Sequence, residues 1–196
     1  MSQAAEKLPT PPTPEEVVFD NTVDGLFRRA LGRRMSHRCK ERLKAAGLDL
    51  DAKLKPAYPR LQYYDFVNIA AEELYGGMSR DAAHFELGKQ FIAGFQETLL
   101  GKAVTSLVKL LGPRKTLGKM SQNMQSSNNY MKTSLKELGP GDCEITLSQV
   151  SGAPRYFEGV LLLAIELTGG AEAKVRPTPG EGPSYVYHCT WKDKAK

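Results

Sequence analysis

The pair Gly101-Lys102 is the place where residue types and spacing come nearest to a site of known chemistry, a loop that binds nucleotide phosphates. Such a loop needs four residues between its first glycine and the Gly-Lys pair, followed by a Ser or Thr that holds Mg²⁺. Here six residues separate Gly94 from Gly101, and Ala103 follows the lysine. The spacing therefore excludes a phosphate loop and predicts instead a break between two helices at Gly101.

Histidine and cysteine, which often bind metals or act as nucleophiles, are few and scattered. The cysteines, Cys39, Cys143 and Cys189, have no C-x-x-C spacing, which disfavours zinc and disulfides and favours a reducing cytoplasm. His84 lies at the edge of an apolar helical stripe, where a core histidine explains it better than an axial haem ligand does. His188 and Cys189 are neighbours in a predicted strand, so their side chains point to opposite faces and form no catalytic couple. We predict no metal site.

Acidic residues give no stronger case for catalysis. Glu72, Glu73 and Glu86 lie on predicted helices, and no spacing brings them together in a cleft, so we interpret them as exposed helix charges. The chain contains no G-x-S-x-G, H-E-x-x-H or G-x-G-x-x-G motif. Because no nucleophile, base or metal ligand can be named, the sequence predicts a protein that is not an enzyme.

Aromatic residues suggest binding rather than catalysis. In the last predicted strand, alternation places Tyr185, Tyr187 and Trp191 on one face. Two interpretations remain open: these residues are an ordinary filled core, or they line a cavity between the helices and the sheet that accepts an apolar small molecule. The candidate pocket residues are Phe91, Phe95, Leu99, Leu107, Tyr156, Leu161, Tyr185, Tyr187 and Trp191.

The elements that position these residues are predicted to be helices first and strands later. Large apolar residues recur at helical spacing between residues 81 and 100, and Gly88 lies on that face, where another helix can approach closely. Gly112 ends the following helix and Pro113 begins the next segment. From Gly139 the pattern becomes strand, helix, strand, strand, with Cys143 and its alternate neighbours facing inward. The prediction is an α+β domain, a layer of about five to six helices on a small antiparallel sheet.

Length and composition agree with one globular domain. Residues 1–16 are rich in Pro and Thr and are predicted to be a disordered arm, which leaves 17–196 as a single domain. The longest apolar run, residues 160–165, is far shorter than the roughly 20 residues that a membrane span needs. No signal-peptide pattern precedes it. We therefore predict a soluble cytoplasmic protein without transmembrane association.

Positive charge is concentrated in two segments. Residues 28–44 contain eight Lys or Arg and one acid, and residues 102–119 contain five Lys or Arg and no acid. Such segments suit an anionic partner, but solvated faces of amphipathic helices explain them more simply, so nucleic acid is disfavoured. The predicted basic surface consists of Arg28, Arg29, Arg33, Arg34, Arg38, Lys109, Arg114 and Lys115.

Several stretches together resemble a family of uncharacterised paralogues of about 200 residues found in myxobacteria. The similar segments include "VVFDNTVDGLFRRAL", "DAAHFELGKQFIAGFQETLLGKAVTSLVKLLGPRKTL", "YFEG" and "YVYHCTW", and they extend from Val17 to Trp191. That family is a domain of unknown function, so the resemblance implies a shared fold and no particular activity.

The order of elements is also similar, more distantly, to a superfamily of small α+β ligand-binding domains. It includes the haem nitric-oxide sensors, the 4-vinyl-reductase domain and transport-particle subunits that hold an acyl chain. The haem sensors carry a Tyr-x-Ser-x-Arg motif, whereas this chain reads "TLSQVSGAPR", with Ser151 and Arg155 at a different spacing and no tyrosine before the serine. The resemblance therefore implies a ligand-binding fold, and we expect no cofactor, with haem disfavoured.

Two functional hypotheses follow. The first is a non-catalytic binding or sensory domain, of the kind used in signalling, whose ligand is an apolar or lipid-like small molecule. The second is a protein-interaction or regulatory module that docks a protein partner or forms a homodimer through its helix faces. An enclosed cavity favours the first hypothesis, and a large exposed apolar patch favours the second.

Overall fold

A computed structural model of the chain describes residues 16–97, 99–150 and 152–193. The architecture is α+β, as predicted. The helices, in chain order, are α1 (Asp20–Val23), α2 (His37–Ala45), α3 (Arg60–Tyr75), α4 (Arg80–Glu97), α5 (Leu99–Gly118), α6 (Met120–Gln125) and α7 (Pro154–Leu167). The predicted arm, residues 1–16, lies outside the described residues except for Glu16, so the domain boundary stays a prediction.

The N-terminal segment forms a small substructure of its own. Strand β1 (Val17–Phe19) pairs antiparallel with β2 (Ala57–Pro59), and α1 follows directly. A π-helix covers Asp24–Ala30, and its wider turn is seen where Leu31 N–H donates to the carbonyl of Leu26. Leu26 and Phe27 of this turn are fully buried, so the π-helix belongs to the core.

Helix α4 packs closely against α7 because both contribute a glycine to the contact. A Cβ atom added to Gly88 would lie 1.9 Å from the carbonyl oxygen of Tyr156, and one added to Gly159 would lie 2.1 Å from that of Phe85. Any side chain at either position would therefore push the helices apart. The close approach predicted at Gly88 is confirmed, and α7 is its partner.

Two features of the helical layer follow glycine and serine signals in the sequence. Ser79 accepts a hydrogen bond from the Ala82 N–H and so caps the start of α4. Gly112 has φ +76°, a left-handed conformation that interrupts α5, as the Gly112-Pro113 pair predicts. The predicted helix break at Gly101 is not found there, since α5 begins at Leu99 and continues through it.

The C-terminal part forms a four-stranded antiparallel sheet with strand order β3-β4-β6-β5. Its strands are β3 (Thr133–Gly139), β4 (Asp142–Leu147), β5 (Gly170–Pro179) and β6 (Tyr185–Asp193), and α7 connects β4 to β5. The sequence predicts β4, β5 and β6 but misses β3. That strand is an edge strand with mostly exposed side chains, so it carries little of the alternation that reveals a half-buried strand.

The inner face of the sheet supplies much of the core. Cys143, Ile145 and Leu147 of β4 are buried, as their alternation predicts. Cys143 lies directly opposite Cys189 of β6, and both thiols are free. In the described part of the chain, no helix is long and apolar enough to cross a membrane. The cytoplasmic location stays a prediction.

The contact between α4 and α7 can be tested with a glycine substitution. We expect Gly88→Ala to lower the free energy of unfolding by about 1–3 kcal/mol, since overpacking outweighs the helix propensity that alanine gains. Urea denaturation measures the change. Gly77→Ala is the matched control, because a Cβ there meets nothing within 4 Å, and its effect should stay within about 0.5 kcal/mol. Equal stability of the two variants would contradict the close approach.

Candidate functional site: a buried tyrosine cluster

An internal space of about 30 Å³ lies where the N-terminal segment, α3, α4, α6 and α7 meet. Its wall is mainly aromatic, with a few polar groups and one thioether. The lining residues are Val18, Thr22, Tyr63, Tyr64, Phe91, Met124, Ser127, Asn128, Tyr130, Tyr156, Phe157 and Val160. Space of this size holds one or two water molecules.

Four tyrosines give this space its chemistry. Tyr63 and Tyr64 come from α3, Tyr156 comes from α7, and Tyr130 lies just after α6. The hydroxyl oxygens of Tyr63 and Tyr156 are 2.9 Å apart and hydrogen-bonded. Tyr64 and Tyr130 lie close enough for each to affect the pKa of the other. Each hydroxyl can donate one bond and accept two, so the bond between Tyr63 and Tyr156 leaves both hydroxyls with further hydrogen-bonding capacity.

Tyr130 is held in place by the turn that precedes it. The side-chain oxygen of Asn128 accepts hydrogen bonds from the backbone N–H groups of Tyr130 (3.3 Å) and Met131 (2.8 Å). Strand β1 fixes the same turn, because the Phe19 N–H donates to the Ser127 carbonyl at 2.9 Å. The wall therefore depends on contacts between segments more than one hundred residues apart in sequence.

The cluster stays protonated. Burial raises the pKa of Tyr63, Tyr64, Tyr130 and Tyr156 above the ordinary tyrosine value of 10.0, and burial is the largest cause in each case. The neighbouring tyrosine, Tyr156 for Tyr63 and Tyr64 for Tyr130, opposes this rise in pKa without cancelling it. At neutral pH the four tyrosines are thus uncharged.

A buried arginine lies behind the cluster. The guanidinium carbon of Arg60 is 5.4 Å from the ring centre of Tyr130, and its Nη1 donates to Gln149 at 2.9 Å. The Arg60 side chain is only 3% exposed, and Glu16 faces its Nε at 3.0 Å. Tyr130 thus separates a buried ion pair from the internal space.

The predicted pocket residues fall into two groups. Phe91 and Tyr156 line the internal space, and the Phe95 ring is 6.2 Å from that of Phe91. Leu161, Tyr187 and Trp191 are buried elsewhere, and the Tyr187 hydroxyl donates to the Pro154 carbonyl. Tyr185 is half-buried on β6, and the side chains of Leu99 and Leu107 lie outside the described residues.

Tyr63, Tyr64 and Tyr130 were missed as pocket residues. The helical pattern around Tyr63 and Tyr64 shows that α3 has a buried side, but it does not show which element packs there. Tyr130 ends the polar stretch "QSSNNY", which is typical of a loop. The Asn-Asn-Tyr turn was the one available signal, since Asn at such positions hydrogen-bonds the backbone that follows.

Half of the predicted basic surface is paired with acids. Arg28 and Arg29 lie at 3.9 and 2.9 Å from Asp24. Arg38 lies 3.2 Å from Glu73, and Arg114 pairs with Glu137. Arg33 and Lys115 are exposed, and Arg34 stacks on Tyr75. The side chain of Lys109 lies outside the described residues. These pairings indicate solvated helix faces with local ion pairs.

His84 lies away from the internal space. It is 2% exposed, and its Nε2 is hydrogen-bonded at 3.0 Å to Asn68. Burial lowers the pKa of His84, with a further decrease from Arg80. Asn68 and Arg80 also border an open groove of about 580 Å³ between α3 and α4. His84 is thus a satisfied core histidine beneath a surface groove.

Comparison with known proteins places the chain by family and by fold. A family model described as "Protein of unknown function (DUF2378)" matches residues 16–192. No curated protein matches the sequence. A structure from work on the mechanism of H-NOX activation is 15% identical with a TM-score of 0.66, covering 90% of this chain and 97% of that one. A Fe(II) unliganded H-NOX protein from K. algicida is 9% identical with a TM-score of 0.62, covering 90% and 97%.

These similarities confirm the resemblance to the haem nitric-oxide superfamily at the level of the fold. They also correct the expectation of no cofactor. A third similar structure concerns haem redox potential and porphyrin distortion; it is 15% identical with a TM-score of 0.65, covering 90% of this chain and 96% of that one. Disfavouring haem from the missing Tyr-x-Ser-x-Arg motif alone was therefore wrong, because the fold itself holds haem in its structural neighbours.

The tyrosine cluster fits haem in donor chemistry but not in size. The described lining residues offer a thioether (Met124) and phenolic oxygens, both of which serve as axial haem ligands in proteins, and they include no histidine. Pockets for small-molecule ligands usually measure about 300–1,000 Å³. A ligand of haem size would enter only if the rings around the space of about 30 Å³ moved apart.

The hydrogen bond between Tyr63 and Tyr156 can be tested with a double-mutant cycle. Tyr63→Phe and Tyr156→Phe should each cost about 1–3 kcal/mol of unfolding free energy, because each leaves a buried hydroxyl without its partner. The double variant should cost less than the sum of the two. Tyr75→Phe, whose hydroxyl meets Arg34 at the surface, is the control and should change stability by less than about 0.5 kcal/mol. Strict additivity would contradict the pairing.

The raised tyrosine pKa values predict loss of stability in alkali. Below about pH 10 both folded and unfolded chains keep these protons, so the contribution is fully present; above it the unfolded chain alone loses them, and stability falls. Urea unfolding between about pH 8 and about pH 11 should show the decline, and Tyr64→Phe should make it shallower. Ionisation of all tyrosines, seen at 295 nm, before the fold is lost would contradict the assignment.

Proposed function

We propose that this chain, which belongs to the DUF2378 family, is a ligand-binding sensory domain that takes a small molecule into the space lined by its tyrosine cluster. The observation that carries this proposal is the cluster itself, three buried tyrosines and the half-buried Tyr130 around an internal space. The family match and the H-NOX fold support it, since the similar structures include an oxygen-binding H-NOX domain. That structure is 14% identical, so the likeness supports the fold and leaves the ligand open.

Stability alone does not explain the cluster. Apolar side chains would fill the same volume without the cost of removing four hydroxyl groups from water. Natural proteins depart from the most stable choice mainly where function needs it. We therefore interpret the spare hydrogen-bonding capacity of the phenols as serving a guest molecule.

The wall suggests an amphipathic ligand. Val18, Phe91, Phe157 and Val160 supply apolar surface, while the tyrosine hydroxyls supply hydrogen bonds. The apolar or lipid-like molecule expected from the sequence is thus refined to one with an apolar body and at least one polar group. Haem belongs to this class by its chemistry, but it is far larger than the space of about 30 Å³.

A binding role is favoured over catalysis or partner docking. In the described part of the chain, no group of three His, Cys, Asp or Glu could hold a metal ion. The large hydrophobic side chains exposed there are Leu61, Met78 and Leu138, which lie on different segments of the chain. A regulatory partner or a homodimer stays an alternative that no particular surface supports.

A variant that fills the space tests the proposal. Val160→Leu adds one methylene to the wall, which is enough to occupy most of a space of about 30 Å³. We expect it to reduce ligand binding at least tenfold while keeping the fold, since adding one methylene to a packed core typically costs about 1–3 kcal/mol. Native mass spectrometry of the purified protein, together with haemin titration followed by absorbance, measures binding and separates haem from other ligands.

Val175→Leu is the matched control, because Val175 is buried on β5 and does not line the space. It should bind the ligand as the unchanged protein does. Equal loss of binding in both variants would point to general destabilisation. A protein that carries no bound molecule and takes up no haemin would contradict the proposed function.

A further inference from the structure

Arg60 carries a charged side chain that is buried, and its burial requires a physical explanation. It is the first residue of α3, and only 3% of its side chain is exposed. Taking a guanidinium out of water is costly unless its N–H groups are hydrogen-bonded. Within the described residues, Gln149 accepts a hydrogen bond from it, and Tyr130 covers one face of the guanidinium.

The Glu16 carboxylate does not complete the arrangement. Its Oε2 lies 3.0 Å from the Arg60 Nε, yet both atoms are buried and neither has a hydrogen bond of acceptable geometry. A buried ion pair offsets the loss of hydration only when its geometry is good. The site thus holds a carboxylate of the right charge in the wrong orientation.

We propose that Arg60 is the anchor for a carboxylate group of the ligand, and that Glu16 occupies this position until the ligand replaces it. This inference rests on the proposed function, because Tyr130 is the wall shared by Arg60 and the internal space. The carboxylate would bind the guanidinium while the body of the ligand lies along Tyr130 toward the other tyrosines.

A carboxylate suits the site better than other polar groups. Exchange of one carboxylate for another leaves the charge around Arg60 unchanged, whereas a phosphate would bring more negative charge than one arginine balances. A neutral amide would leave the guanidinium unpaired in a buried place. The N-terminus of α3, where Arg60 lies, adds a further preference for an anion.

Chemical rescue tests the anchor directly. Glu16→Ala leaves Arg60 without its carboxylate, and we expect the midpoint of thermal unfolding to fall by roughly 5 °C or more. Acetate at tens of millimolar should restore a large part of this loss. Acetamide and sodium chloride at the same concentration should not, because neither supplies a carboxylate. An equal response to acetate and chloride would overturn the proposal.

Two variants separate the Arg60 site from other effects. In Glu16→Ala/Arg60→Gln the acetate response should disappear, since no cation remains to bind it. Arg34→Gln in the Glu16→Ala background is the matched control, because Arg34 also stacks on a tyrosine, Tyr75, but at the surface; the acetate response should persist. If Glu16→Ala does not fold, Glu16→Gln serves instead, with the response measured from the ¹⁵N signal of the Arg60 Nε–H.

Two pairs of compounds, each an acid and its neutral counterpart, identify the kind of ligand that supplies the carboxylate. Benzoate and benzamide test a small aromatic acid, and haemin and its dimethyl ester test the two carboxylates of haem. For whichever pair binds, we expect the acid to bind at least tenfold tighter than its neutral counterpart. This preference should vanish in Arg60→Gln. Binding that is lost in Val160→Leu but shows no preference for the acid would overturn the anchor and leave the proposed function standing. If binding showed neither the loss in Val160→Leu nor the preference for the acid, the anchor and the proposed function would both be overturned.

Discussion

The contact between α4 and α7 at Gly88 and Gly159 is the constraint on which the rest of the structure depends. Backbone meets backbone there, because a Cβ atom on either glycine would lie about 2 Å from a carbonyl oxygen of the other helix. This approach sets Phe91 of α4 beside Tyr156 of α7, with ring centres 6.2 Å apart. A second close contact, in which a Cβ on Gly94 would lie 2.0 Å from the Gly25 carbonyl oxygen, holds the π-helix against the same α4. The walls of the internal space therefore belong to elements that α4 fixes from two sides.

Within this frame the tyrosine cluster is held partly by a hydrogen bond between two of its own hydroxyls. A phenol pair such as Tyr63 and Tyr156 satisfies one hydrogen-bonding group of each residue and keeps both uncharged, as their raised pKa values require. Arg60 introduces the opposite problem, a permanent positive charge behind Tyr130. The cluster and the arginine together make a site that is polar at one end and aromatic at the other. Such polarity is of little use to a core and of direct use to a binding site.

Much of the fold can be predicted from the sequence because the signals that indicate its elements depend on residues close together in the chain. Alternation in β4 and the glycine signals at Gly88 and Gly112 depend only on neighbouring residues. Phe91 and Tyr156 could be predicted as pocket residues because large aromatics on apolar faces turn inward. Tyr130 and Arg60 could not, since Tyr130 follows a polar loop and Arg60 carries a charge, and each packs against segments distant in sequence. The same holds for β3, whose exposed side chains leave no periodic pattern.

Fold and chemistry are thus set by different residues, which explains how structural neighbours can be recognised at 9–15% identity. In this chain the close glycine contacts and the buried aliphatic residues determine the fold, whereas under the proposed function the few side chains that face the space would select the ligand. Strand β1 is the element that contacts both parts of the site, since Val18 lines the space and Glu16 precedes it at Arg60. Helices α4 and α7 cannot separate without losing this close backbone contact. Under the proposed function, a change in the occupant of the site would therefore act on strand β1, because β1 adjoins both the internal space and Arg60.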